Sequence, residues 1–139
     1  MPICEINCLK GVLSTENQNY IAMKLTEILL EAEGLPDNAI SRSICQITFN
    51  ESEKVYVGGK LAEFGKIVIK IFVFAEAYSE DQKADLYTKI VSAFKEINTY
   101  TRQQEGRNIW CLVMPVGLNN FGVGGFPVSL DITKKIVGS

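Results

Sequence analysis

The chain has 139 residues, 47% of them apolar and 22% charged, with a net charge of −2. That balance suits one globular domain and gives no electrostatic basis for binding nucleic acid or an acidic membrane. With no histidine present, imidazole bases, histidine-containing triads and most zinc sites are excluded, so no metal or other cofactor is expected.

The opening "MPICEINCLKG" predicts a strand. By alternation Pro2, Cys4, Ile6 and Cys8 share one face, the one expected to meet helices. Proline lacks a backbone donor and is tolerated at a strand's first residue. Cys4 and Cys8 would lie roughly 13 Å apart along such a strand and cannot bridge. With no CxxC pair, Cys4, Cys8, Cys45 and Cys111 read as reduced thiols acting as small hydrophobes. Strand-like residues begin at position 3 where a signal peptide would need a longer apolar run, and no segment approaches the ~20 apolar residues of a membrane span. No membrane association and a cytoplasmic location are expected.

The next stretch, "STENQNYIAMKLTEILLEAEG", places Ile21, Leu25, Ile28, Leu29 and Ala32 on one helical stripe. Thr15 and Gln18 have capping-box spacing, and Gly34 followed by Pro36 forms a stop. A second strand over "ICQITF" then leads to a glycine hairpin at "VYVGG". The pattern recurs. "KIVIKIFVFAEA" is a strand, Ser79 and Gln82 cap a helix striped by Leu86, Ile90, Ala93, Phe94 and Ile97, and "WCLVMPV" leads to "FGVGG". Neither glycine pair is a phosphate loop, because no Gly-Lys-Ser/Thr follows and no G-x-G-x-x-G opens a helix.

These landmarks expose a repeat. Cys45 and Cys111, and Val57-Gly58-Gly59 and Val123-Gly124-Gly125, are 66 positions apart, and the helical stripes are 65 apart. The chain therefore divides into pseudo-repeats of about 1–65 and 66–139 within a single domain. Each is a β-α-β unit with a parallel pair and a right-handed crossover. Together they predict an α+β fold, a four-stranded sheet with two helices on one face. The other face, if apolar, asks for partner subunits.

Met1-Pro2, "CLKG" after the first strand, "SEDQK" opening the second helix and "FGVGG" at 121–125 resemble the tautomerase superfamily of 4-oxalocrotonate tautomerase, cis-3-chloroacrylic acid dehalogenase and macrophage migration inhibitory factor. The resemblance spans nearly the whole chain and implies a homotrimer acting on a small-molecule substrate. It also implies that Pro2, freed by loss of Met1, is the general base of a tautomerase or isomerase on a keto–enol compound. An amine among apolar groups is harder to charge, which draws its pKa toward neutrality. With Met1 in place the Pro2 nitrogen is an amide without basicity. The competing use of Pro2 is as an ordinary strand-start proline.

The chain departs from the family at its arginines, which grip a substrate carboxylate. The aligned positions hold Val12, Ala75, Tyr78, and Ile44 or Trp110. Arg42 is the nearest replacement, two residues from Ile44 and on the same face if both are on a strand; Arg107 and Lys70 are weaker, and each is equally a solvated surface charge. The dehalogenase's water-activating carboxylate maps to Asn120, which orients water but is no base. Phe121 matches the hydrophobic wall beside the proline. Trp110 is either a site aromatic or a core side chain. Tyr78 and Tyr56 are either donors to an enolate oxygen or interface residues. Two other functions stay open: a catalytically inactive trimer acting as a binding or scaffold protein, and, less favoured, a dehalogenase or hydratase acting on a haloacrylate-like acid.

Overall fold

The structure is a computed structural model and describes residues 1–138. Period-two patterning builds the first strand, β1 (Ile3–Leu9): Cys4, Ile6 and Cys8 are buried while the intervening residues face the other side. The chain continues through α1 (Thr15–Ala32), a short α2 (Ala39–Ser43), β2 (Gln46–Ser52) and the hairpin β3 (Tyr56–Val57) and β4 (Lys60–Leu61). The second half repeats this as β5 (Ile67–Phe74), α3 (Glu80–Ile97), α4 (Thr99–Gln103), β6 (Ile109–Val116), and the hairpin β7 (Gly122–Val123) and β8 (Phe126–Pro127). A last helix, α5 (Leu130–Val137), has no counterpart in the first half.

The sheet order is β2-β1-β5-β6. Each repeat contributes one parallel pair, and the repeats join through antiparallel β1 and β5, with Cys4 opposite Ile71 and Ile6 opposite Ile69. The stripes of α1 and α3 bury Ile21, Leu25, Leu29, Leu86, Ile90 and Phe94 against these inward strand residues in one core. The α+β arrangement and the helices on one face are as the repeat predicts.

Local signals set the boundaries. The Ser79–Gln82 box forms: the Gln82 backbone N–H donates to Ser79 Oγ at 3.2 Å, and the Ser79 N–H donates to Gln82 Oε1 at 2.8 Å. At α1 the cap is one residue earlier than the Thr15–Gln18 spacing predicts: Ser14 Oγ accepts from the Asn17 N–H at 3.1 Å. The Gln18 side chain instead donates to the Leu13 carbonyl at 3.1 Å. Both two-residue hairpin turns need glycine, with φ of +60° and +79° at Gly58 and Gly59 and +59° and +90° at Gly124 and Gly125.

The open face is asymmetric. Its β5–β6 half carries Val68, Lys70 and Phe72 with the exposed Trp110, Leu112 and Met114, while its β2–β1 half carries Ile3, Glu5, Asn7, Thr48 and Asn50 and is the more polar. At one end of the molecule α5 folds back. Leu130 packs with Met1 and Phe74, Val137 packs with Leu30 and Leu35, and the Asn38 side chain donates to the Val137 carbonyl at 3.0 Å. Among the described residues no helix is long and apolar enough to cross a membrane.

Candidate active site

Pro2 sits just before β1, and its carbonyl accepts from the Gln46 N–H at 3.2 Å, which fixes the start of the chain beside β2. Met1 and Pro2 are both buried. The Met1 side chain, 3% exposed, packs among Phe74, Leu130 and Phe121, and the Phe74 and Phe121 rings meet edge to face with centroids 5.7 Å apart. Burial lowers the pKa of the Met1 amine below its ordinary 8.0, opposed by Glu33 and Cys45 in their ionised forms. In front lies a mainly apolar cavity of about 410 Å³, walled by Met1, Ile3, Ile44, Phe121, Val123 and Ile136.

The other candidate residues divide around this point. Asn120 precedes Phe121 in an exposed turn and donates its N–H to the Gly117 carbonyl at 3.0 Å. Tyr78 is buried in the main core and does not wall this cavity. Arg42 is not on a strand: Asn38 caps α2, whose last turn carries Arg42, so the alternation that would align it with Ile44 does not apply. Its guanidinium is engaged by Asp37, with Nη2 to Oδ2 at 2.8 Å, and by Glu27 at 3.7 Å.

Trp110 lies toward the opposite end of the sheet. It pairs with Val68, which faces Asn7, whereas Ile3 beside Pro2 faces Phe72. Four residues of strand separate them, roughly 13 Å. Trp110 walls a second cavity of about 390 Å³ with Lys66, Val68, Val55, Val57 and Tyr56. The Lys66 ammonium stands 5.5 Å from the Trp110 ring centroid, and Trp110 Nε1 donates to the Arg107 carbonyl at 3.0 Å. The repeat relates the two cavities. At intervals of 65 or 66, Met1, Ile3 and Ile44 correspond to Lys66, Val68 and Trp110, and Phe121 and Val123 correspond to Val55 and Val57.

No family model and no curated protein matches the chain. Solved structures do. A fused 4-OT, described as an asymmetric trimer, is 20% identical with a TM-score of 0.72 over 90% of this chain and 94% of its own. N1, of the cis-3-chloroacrylic acid dehalogenase family, is 17% identical with a TM-score of 0.73 over 96% of this chain and 88% of its own. The macrophage migration inhibitory factor of Toxoplasma gondii is 12% identical with a TM-score of 0.67 over 91% of this chain and 99% of its own. The chain has the tautomerase-superfamily fold in its two-repeat form.

Within this tautomerase fold, Glu33 was not singled out from the sequence. It caps the C-terminus of α1 and is 3% exposed, and neither carboxylate oxygen has a hydrogen-bond partner. Desolvation pushes its pKa from 4.5 up to about 8, against the pull of the terminal amine and Lys134. The Tyr78 hydroxyl is likewise buried without a partner, and burial together with Glu33 raises its pKa. The Met1 amine and Glu33 influence each other's ionisation, as Glu33 does that of Tyr78, with no hydrogen bond to either side chain. The sequence signal was an acid closing a helix, where the macrodipole disfavours negative charge.

Proposed function

We propose that this chain is a tautomerase-type enzyme in which Pro2, freed of Met1, is the general base on a small keto–enol substrate. The observation that carries the reading is the burial of the chain's first two residues at an apolar cavity, where desolvation lowers the basicity of an amine. A proline nitrogen there is a base of near-neutral pKa, suited to taking a proton from carbon next to a carbonyl. In this reading Phe121, which walls the cavity, is the hydrophobic neighbour of the base, and Asn120, the exposed residue before it, and the buried Tyr78 are the proposed partners of the enolate oxygen.

The proposed assembly is a homotrimer of single-domain chains. The apolar β5–β6 half of the open face supports it, as does the trimeric description of the fused 4-OT neighbours. In such an assembly Trp110 meets a substrate from a neighbouring subunit. Arg42 contributes only by releasing Asp37. That engagement, with Asn120 in place of an acid, favours a second reading, a trimer that binds without catalysing; Asn120 equally disfavours hydrolytic dehalogenation.

The test is turnover of phenylpyruvate or 2-hydroxymuconate by protein whose intact mass confirms the loss of Met1. Pro2→Ala is expected to lower kcat/KM by roughly 100-fold or more. Equal rates for the two proteins would leave the non-catalytic reading.

A further inference from the structure

We propose that the cavity walled by Lys66 and Trp110 is a second small-molecule site, which binds an organic monocarboxylate with a flat apolar body. The inference goes beyond the reading of Pro2 as a base and does not depend on it.

The two repeats build one slot twice and furnish it differently. Where the first repeat places Met1, Ile3 and Ile44, the second places Lys66, Val68 and Trp110. No side chain that walls the Met1 cavity is charged, whereas Lys66 is the one charged residue of the other wall. The backbone differs as well. Pro2 corresponds, at the interval of 65, to Ile67 in the interior of the chain, whose N–H donates to the Asn108 carbonyl at 2.8 Å. That nitrogen is an amide already in use, so this slot is not a second copy of a centre built on a terminal amine.

The charge and shape of the wall define the ligand. The half-buried Lys66 ammonium lies 5.5 Å from the Trp110 ring centroid, and among the described residues no carboxylate pairs with it. A cation without a counter-ion leaves positive potential at the cavity, and one ligand carboxylate answers it. A second carboxylate would have no partner on this wall. The rest of the surface suits a flat apolar body. Trp110 is fixed by its Nε1 bond to the Arg107 carbonyl at 3.0 Å, and Val55, Val57, Val68 and Tyr56 stand around it. Asn7 does not compete for the ligand, because Nδ2 donates to the Val68 carbonyl at 3.3 Å and Oδ1 accepts from Asn50 Nδ2 at 3.2 Å. The volume, about 390 Å³, falls within the range of small-ligand pockets.

Trp110 is the chain's only tryptophan, so its fluorescence reads this cavity directly. The experiment titrates the full chain with phenylacetate, phenylacetamide and inorganic phosphate, and measures affinities by calorimetry. Phenylacetate should change the Trp110 emission saturably and bind roughly tenfold or more tightly than phenylacetamide. Phosphate at equal ionic strength should neither change the emission nor displace phenylacetate. Lys66→Gln should bring the two aromatic probes to equal affinity, Lys66→Arg should keep the preference, and Pro2→Ala should bind phenylacetate as the wild type does. Equal affinities in the wild type, a preference that survives Lys66→Gln, or displacement by phosphate overturns the proposal. Loss of phenylacetate binding in Pro2→Ala also overturns it, by assigning the ligand to the Pro2 cavity. Failure of Met1-free protein to turn over phenylpyruvate would instead count against Pro2 as a base and leave this site standing.

Discussion

Glu33 governs how stability varies with pH. Its value is 4.5 when unperturbed and about 8 in the folded chain, so folding takes up a proton between those limits. Its contribution is full below the lower value and is lost as pH rises through the upper one. Glu33→Gln removes this dependence. Chemical denaturation should show the variant gaining on the wild type between about pH 5 and pH 9, by about 2–4 kcal/mol. Glycine substitutions divide equally clearly. At Gly106, with φ of +81°, an added Cβ would lie 2.5 Å from Val91 Cγ1; at Gly124, with φ of +59°, it would meet nothing. Gly106→Ala should cost about 3 kcal/mol and Gly124→Ala about 1 kcal/mol in the same assay. Phe121 was legible because it belongs to a short motif beside the glycine turn. Glu33 was not, because burial of a helix-end acid is set by tertiary packing and not by any local pattern.

At the level of elements, the long helices and paired strands could be read because each carries its own period and the repeat checks one copy against the other. The capping box of α3 is a local signal of that kind, and Ser79→Ala should lower stability by about 1 kcal/mol in thermal or chemical unfolding. Short elements escaped. The segment around Arg42 reads as extended by proximity to "ICQITF", yet Asn38 and Ser41 close a box of their own and turn five residues into α2. α5 was missed because the repeat template ends at the second hairpin. Its own marks are plain: Ser129 Oγ accepts from the Ile132 N–H at 3.2 Å, and Leu130, Thr133 and Val137 face inward. The two helices matter to function in different ways, α2 by occupying Arg42 and α5 by roofing the Met1 cluster.

For the molecule as a whole, the fold persists at 12–20% identity to its structural neighbours because the buried pattern is carried by residue class and register. What one chain leaves unfinished is its exposed sheet face. Leu112 is 45% exposed beside Lys70 in the more apolar half. Leu112→Lys should therefore shift a trimer toward monomer in light scattering, with the far-ultraviolet circular dichroism unchanged. From patterning alone the proposed assembly was legible only as a need for partners, the number three coming from the family resemblance, since a sequence states which face is apolar and not which surface meets it. Trp110 illustrates the limit: its type and strand could be read, but its cavity is set by the pairing of β5 with β6.

Met1 and α5 converge on one corner, Met1 packed with Leu130 and the Val137 carbonyl tied to Asn38. An affinity handle at the front would acylate the very nitrogen of interest and force out the sulfur-bearing plug. One at the back would pull on the lid above it. Fluorescent or purification labels therefore belong on the outward surface of the long helices, and catalogues of inactivity gathered with end-fused material would report the label, not the molecule.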